Sequence, residues 1–132
     1  MTLATAYWCV LIAALLPYLW VAIAKSSGVR YDNRDPRGWL ARQDNPRVHR
    51  ANAAQLNGYE AFAPFATGVI LAHLAGVPTD RIAMLAIAFV ILRVLHGVVY
   101  IGGMSHTLRS LVWFGSFGCV IALLVGAALR AV

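Results

Sequence analysis

The stretch IAMLAIAFVILRVLHGVVYIG, residues 82–102, decides how this chain folds. It has the ~20 residues that an apolar helix needs to cross a ~30 Å hydrocarbon layer, yet it holds Arg93 and His96. Arg93, His96 and Tyr100 fall at spacings of three and four, so a helix projects all three from one stripe. A charge among membrane helices costs several kcal/mol unless it meets a partner or lines a wet cavity, which makes such groups functional candidates by default. The stripe therefore faces the interior of a bundle or a neighbouring subunit, not lipid.

Outward from this stretch the same character recurs. The chain is 61% apolar and only 12% charged, with a mean hydropathy of +0.71, far from the roughly half-apolar, quarter-charged make-up of soluble domains. Thr2 to Ala24 carries no charge, Ala51 to Val77 holds the carboxylate Glu60, and Leu108 to Ala128 holds Arg109. With residues 82–102 they make four runs, which predict an all-α integral membrane protein, a four-helix bundle forming a single domain over 1–132. The expected spans are approximately 3–24, 48–76, 79–102 and 106–129, with a connecting loop at 25–47. The first run is expected to remain as a span: it lacks a basic start, exceeds the length of a signal-peptide core, and meets no small-residue cleavage site at Pro17-Tyr18-Leu19-Trp20.

Seven of the eleven Lys and Arg residues (Lys25, Arg30, Arg34, Arg37, Arg42, Arg47 and Arg50) lie around the one long connection. The positive-inside rule assigns loop 25–47 to the cytoplasm and both termini to the other side, in what reads as a bacterial inner membrane. The net charge of +6 then reflects topology and attraction to membrane lipids, and no nucleic-acid partner is expected. Within the loop, Tyr31 to Trp39 mixes turn formers with charges of both signs, and Trp39 suits the headgroup layer. The segment can cover a site or grip anionic lipid, but a solvated linker is the expectation.

Asn45-Pro46 marks the start of the second helix, since Asn caps and Pro fits the first helical position. Pro64 lies inside that helix and has no N–H for the carbonyl of Glu60, so a free acceptor and a carboxylate coincide, with Asn57 one turn away. Glu60 either pairs with Arg93 to pin two helices or faces a ligand. Ser105 is a plausible cap for the last helix, which puts Arg109 and Ser110 in its first turns, where the helix dipole already attracts anions. A cation there makes sense if an anion is bound; otherwise Arg109 snorkels to lipid phosphates. Trp113, one turn on, either walls a pocket or packs. Gly118, Ala122 and Gly126 repeat every fourth residue, as do Ala54 and Gly58, which lets backbones approach closely within or between subunits. A narrow bundle leaves little interior room, so a pocket is expected between the subunits of a homo-oligomer. Cys9 and Cys119 are isolated thiols, and no metal-ligand spacing, paired carboxylates or Gly-rich phosphate loop is present.

The runs Arg50 to Phe65, with Asn57-x-x-Glu60; Arg93 to Tyr100; and Leu108 to Trp113 together resemble the MAPEG family, membrane-associated proteins in eicosanoid and glutathione metabolism, in its short bacterial form. The resemblance covers nearly the whole chain in span number and order. It implies a homotrimer of four-helix subunits holding glutathione between them toward the cytoplasmic side. Asn57 and Glu60 would contact the glutathione backbone, Arg93 would support Glu60, and His96 and Tyr100 would hold its polar ends, with Trp113 beside them. Arg109 would stabilise the thiolate, and Ser110 would donate to the sulfur, the two forming the catalytic set. The thiolate would attack an electrophilic or peroxide substrate dissolved in the bilayer.

Three positions depart from the glutathione-using pattern: Leu56 and Ala53 stand where those members carry basic residues, and Trp113 stands where some carry tyrosine. Losing each charged hydrogen bond weakens a ligand by ~1.5–3 kcal/mol. Two readings follow: a membrane glutathione transferase or peroxidase with a lipophilic small-molecule substrate, or a non-catalytic trimer that binds lipid or another small anion.

Overall fold

The computed structural model describes residues 1–132 and contains five helices and no strands: α1 Leu3–Ser27, α2 Pro36–Ala41, α3 Pro46–Leu74, α4 Thr79–Ile101 and α5 His106–Ala128. Three of them, α1, α4 and α5, are long and apolar enough to cross a membrane. At 29 residues α3 is the longest, but it is more polar, carrying Arg47, His49, Arg50 and Glu60.

Local chemistry sets the boundaries. Asn45 accepts a hydrogen bond from the Arg47 amide at 3.0 Å, with Pro46 in the first helical position of α3; this satisfies a donor the helix cannot. The Asn45 amide also donates to the Ser27 carbonyl at 2.9 Å, tying the end of α1 to the start of α3. Ser105 accepts from the Leu108 amide at 3.3 Å and starts α5. Both tight turns use a left-handed glycine, Gly76 (φ 76°) and Gly103 (φ 63°). Each is followed by an amide that reaches back to an open carbonyl, Val77 to Ala72 at 2.9 Å and Met104 to Val99 at 3.1 Å, the glycine-ended helix stop that L side chains resist.

The long helices form a ring in the order α1, α3, α5, α4, with α3 and α4 meeting across its centre. There Phe65 of α3 stacks on Phe89 of α4, centroids 3.9 Å apart and planes 9° from parallel, both fully buried. On the α1 side small residues admit large ones. A methyl on Gly58 would lie 3.1 Å from Pro17, and one on Gly97 would overlap the indole of Trp20. The expected small-residue contact of Ala54 and Gly58 thus falls within the subunit, whereas Gly118 of the α5 repeat faces open space. Large apolar side chains such as Leu15, Ile70, Ile91 and Phe114 are exposed around all four long helices, the surface that lipid contact requires.

The loop reading is corrected. Residues 25–47 are not a solvated linker: the segment contains α2 and folds back on the bundle. Asp35 caps α2 by accepting from the Gly38 amide at 3.1 Å. Trp39 is 4% exposed, with its indole N–H donating to the Arg30 carbonyl at 3.1 Å and its ring edge-on to Tyr31. Gln43 bridges back by donating to the Trp39 carbonyl and accepting from the Val29 amide. Trp39 is therefore an anchor in a cluster with Trp20 and Val48.

Candidate functional site

Two adjoining recesses lie along the α3–α5 seam. The one nearer the α4–α5 turn, about 200 Å³, is walled by Asn57 of α3, His96 and Tyr100 of α4, and Arg109, Ser110, Trp113 and Phe114 of α5. The deeper one, about 110 Å³, shares Asn57 and Trp113 and adds Glu60 and Arg93 over an apolar floor that includes Phe89 and Val120. The helix spacings explain the convergence. Arg93, His96 and Tyr100 share a stripe of α4; the first two are 4% and 2% exposed, so the stripe faces inward as its polarity demands.

Arg109 lies just inside the capped start of α5. Its guanidinium carbon sits 4.4 Å above the Tyr100 ring, within the ~6 Å reach of a cation–π contact. Neither Arg109 nor Arg93 is in an ion pair; the two pairs present, Arg34–Asp32 and Arg42–Asp35, both belong to the loop segment. His96 meets Tyr100 edge-on, ring centroids 5.6 Å apart. The site thus combines an unpaired cation, the positive end of a helix dipole and a hydroxyl at Ser110, all of which favour an anion.

Arg93 corrects one expectation. It does not pair with Glu60; its Nη2 donates to Asn57 Oδ1 at 2.9 Å. Glu60 is exposed on the outer side of α3, lining only the rim of the deeper recess. Because a guanidinium only donates, its contact fixes the Asn57 amide with oxygen toward Arg93, leaving the NH₂ group to offer to the recess. The other terminal nitrogen, Nη1, is buried without any hydrogen-bond partner. Ser116 is satisfied, its hydroxyl donating to the Trp113 carbonyl at 2.8 Å.

Of the residues singled out in the sequence, Asn57, His96, Tyr100, Arg109, Ser110 and Trp113 share one recess, and Asn57, Glu60, Arg93 and Trp113 the next. Trp113 was singled out as a wall or a packing residue, but its aromatic neighbours went unnoticed: it stacks on Phe117 with centroids 5.2 Å apart and meets Phe114 edge-on. Helical spacing was the available signal, since Phe117 lies four residues from Trp113 and Phe89 four from Arg93. No three of His, Cys, Asp and Glu gather in a cluster that could hold a metal.

The sequence model of the MAPEG family matches residues 5–129, nearly the whole chain. No curated protein and no solved structure matches.

Proposed function

The chain belongs to the MAPEG family and is an integral membrane protein, and from that premise we propose that it is a glutathione-dependent transferase or peroxidase acting on lipophilic substrates. The observation that carries this reading is Arg109: a cation without a carboxylate partner, in the first turns of α5, beside Ser110 and over Tyr100. Both the helix end and the guanidinium lower the energy of a thiolate relative to its thiol, whose ordinary pKa is ~8.5. Glutathione, when bound, supplies the nucleophile.

The remaining groups suit the rest of that peptide. The Asn57 NH₂ donates to a peptide carbonyl, Glu60 accepts from an ammonium, and His96 and Tyr100 meet a carboxylate end. Both recesses together reach only the lower end of the ~300–1,000 Å³ typical of small-molecule sites, and the seam is open where Glu60 is exposed. A second copy against this face closes it, which supports a homotrimer with the site between subunits. In this reading α3 is the fourth span, and its polar residues face the interface and the site. The basic segment 25–47 is cytoplasmic, with both termini outside a bacterial inner membrane.

One observation favours a second reading. Leu56, next to Asn57, is 54% exposed, and with Ala53 it puts apolar surface where glutathione-using members carry cations. A trimer that binds lipid or another small anion in the same recess fits that surface. Calorimetry of the detergent-purified protein with millimolar glutathione, followed by ultraviolet absorbance of the thiolate, separates the two. Saturable binding with a thiolate band that disappears in Arg109→Ala is the expected result. Absence of binding at those concentrations refutes the enzyme reading.

A further inference from the structure

The folded-back segment 25–47 encloses a cleft of its own between the end of α1, α2 and the start of α3, sharing no residue with either seam recess. At about 360 Å³ it falls within the ~300–1,000 Å³ of small-molecule sites. Ala24 and Trp39, both buried, belong to its floor, and Val21 and Leu40 add apolar wall. Lys25, Arg37, Asn52 and Gln55 supply polar groups, and no carboxylate is among the lining residues.

The cations of this cleft are uncompensated. The segment's two ion pairs commit Asp32 to Arg34 and Asp35 to Arg42, which leaves Lys25 and Arg37 without an acid. The Lys25 ammonium lies 4.5 Å from the centroid of the Tyr31 ring, a contact that positions the charge without neutralising it. Two free cations with amide donors beside them favour an anion that accepts several hydrogen bonds.

Depth in the membrane narrows the choice of anion. Lys25 is in the last turn of α1 and Asn52 in the second turn of α3, so the cleft lies where a membrane span ends and hydrocarbon gives way to headgroups. Val21 lines it one turn deeper on α1. A phosphate at that level, carried on glycerol and acyl chains, meets both the cations and the apolar wall, whereas a water-soluble phosphate leaves Val21 and Leu40 without a partner.

We propose that this cleft binds the head of an anionic glycerophospholipid, with the phosphate held by Lys25 and Arg37 and the acyl chains leaving past Val21. The bound lipid ties the loop segment to the membrane surface. This site stands apart from the glutathione reading and does not depend on it.

The test is native mass spectrometry of the delipidated, detergent-purified protein, titrated with dioleoylphosphatidylglycerol at ~0.15 M salt, where exposed charges beyond ~8 Å are screened. Binding should saturate at one lipid per subunit. At the worth of one basic residue near a lipid phosphate, Lys25→Gln and Arg37→Gln should each weaken it about fivefold, and the two together about twentyfold. Arg34→Gln combined with Arg42→Gln removes the same charge from the segment outside the cleft, and affinity should stay within about twofold of the unaltered protein. An equal loss in the two double variants would mean diffuse attraction and overturn the proposal. So would dioleoylphosphatidylcholine binding as tightly, or glycerol phosphate displacing the lipid at equal concentration. Arg37→Gln, at an exposed side chain, decides the matter if Lys25→Gln does not fold.

Discussion

Gly97→Ala is the sharpest test of how the helices pack. On an exposed helix this change stabilises by ~1 kcal/mol, because glycine loses more backbone freedom than alanine. Here the new methyl would coincide with three atoms of the Trp20 indole, Cζ2, Cε2 and Cη2. Trp20 is 5% exposed and wedged in the cluster with Leu16, Trp39 and Val48, so the rigid ring has nowhere to turn. Overpacking of this kind costs ~1–3 kcal/mol, and overlap with a fused ring belongs at the upper end. The net expectation is a loss of about 2 kcal/mol, on the order of 5–10 °C in Tm for a chain of this size. Thermal unfolding in detergent, followed by circular dichroism, measures it. Trp20→Phe removes the ring atoms the methyl meets, so Trp20→Phe combined with Gly97→Ala should be less destabilised than the two changes added, by ~1 kcal/mol or more. A stabilised or unchanged Gly97→Ala protein, or strict additivity, refutes the α1–α4 contact.

Trp39→Ala should lower stability by ~3–5 kcal/mol and expose residues 30–42 to trypsin, since Trp39 holds the loop segment through its burial and its bond to Arg30; limited proteolysis reads the second effect. Asn57→Asp keeps the acceptor that Arg93 needs but removes the NH₂ donor, so Tm should hold within a few degrees while glutathione affinity by calorimetry falls about tenfold, the worth of ~1.4 kcal/mol. Asn57→Leu, which strips Arg93 of its only side-chain partner, should cost ~1–3 kcal/mol of stability, and thermal unfolding separates it from the Asp variant. Gly118→Ala meets nothing within 4 Å inside the chain, so it should leave subunit stability unchanged, and any change of oligomeric state in sedimentation measurements would come from contact between copies.

How far these features were readable from residue order depends on how local their cause is. The starts at Pro46 and Ser105 were legible because a cap is set by neighbours two or three residues away. So was the inward stripe of Arg93, His96 and Tyr100, since helical periodicity and the cost of charge in lipid act together on one element. The short α2 was not: six residues offer no period, and what holds Pro36–Ala41 is the tertiary burial of Trp39. The partner of Arg93 was misjudged for a related reason. Asn57 and Glu60 lie three apart on α3, and spacing cannot rank them; the rotation of α3 against α4 decides, and it turns Asn57 toward the guanidinium. The overlap of Gly97 with Trp20 joins helices separated by most of the chain and leaves no trace in either local sequence.

The two sides of the bundle divide the work between them. Along α1, Gly58 receives Pro17 and Gly97 receives Trp20, close approaches that fix α3 and α4 relative to one another through a shared neighbour. The opposite seam, α3 against α5, has Pro64 on one side and the bulky Trp113 and Phe117 on the other, and it leaves recesses instead of a filled core. A buried Arg93 with one free nitrogen is tolerable there because Asn57 orients it and the tight α1 side holds both helices in place. It follows that changes on the α1 face should move stability with little effect on ligand affinity, and changes on the α5 face should do the reverse. Gly97→Ala and Asn57→Asp are a matched pair for that separation: if both move Tm and glutathione affinity together, the recess is a product of loose packing and not a site held open by a rigid frame.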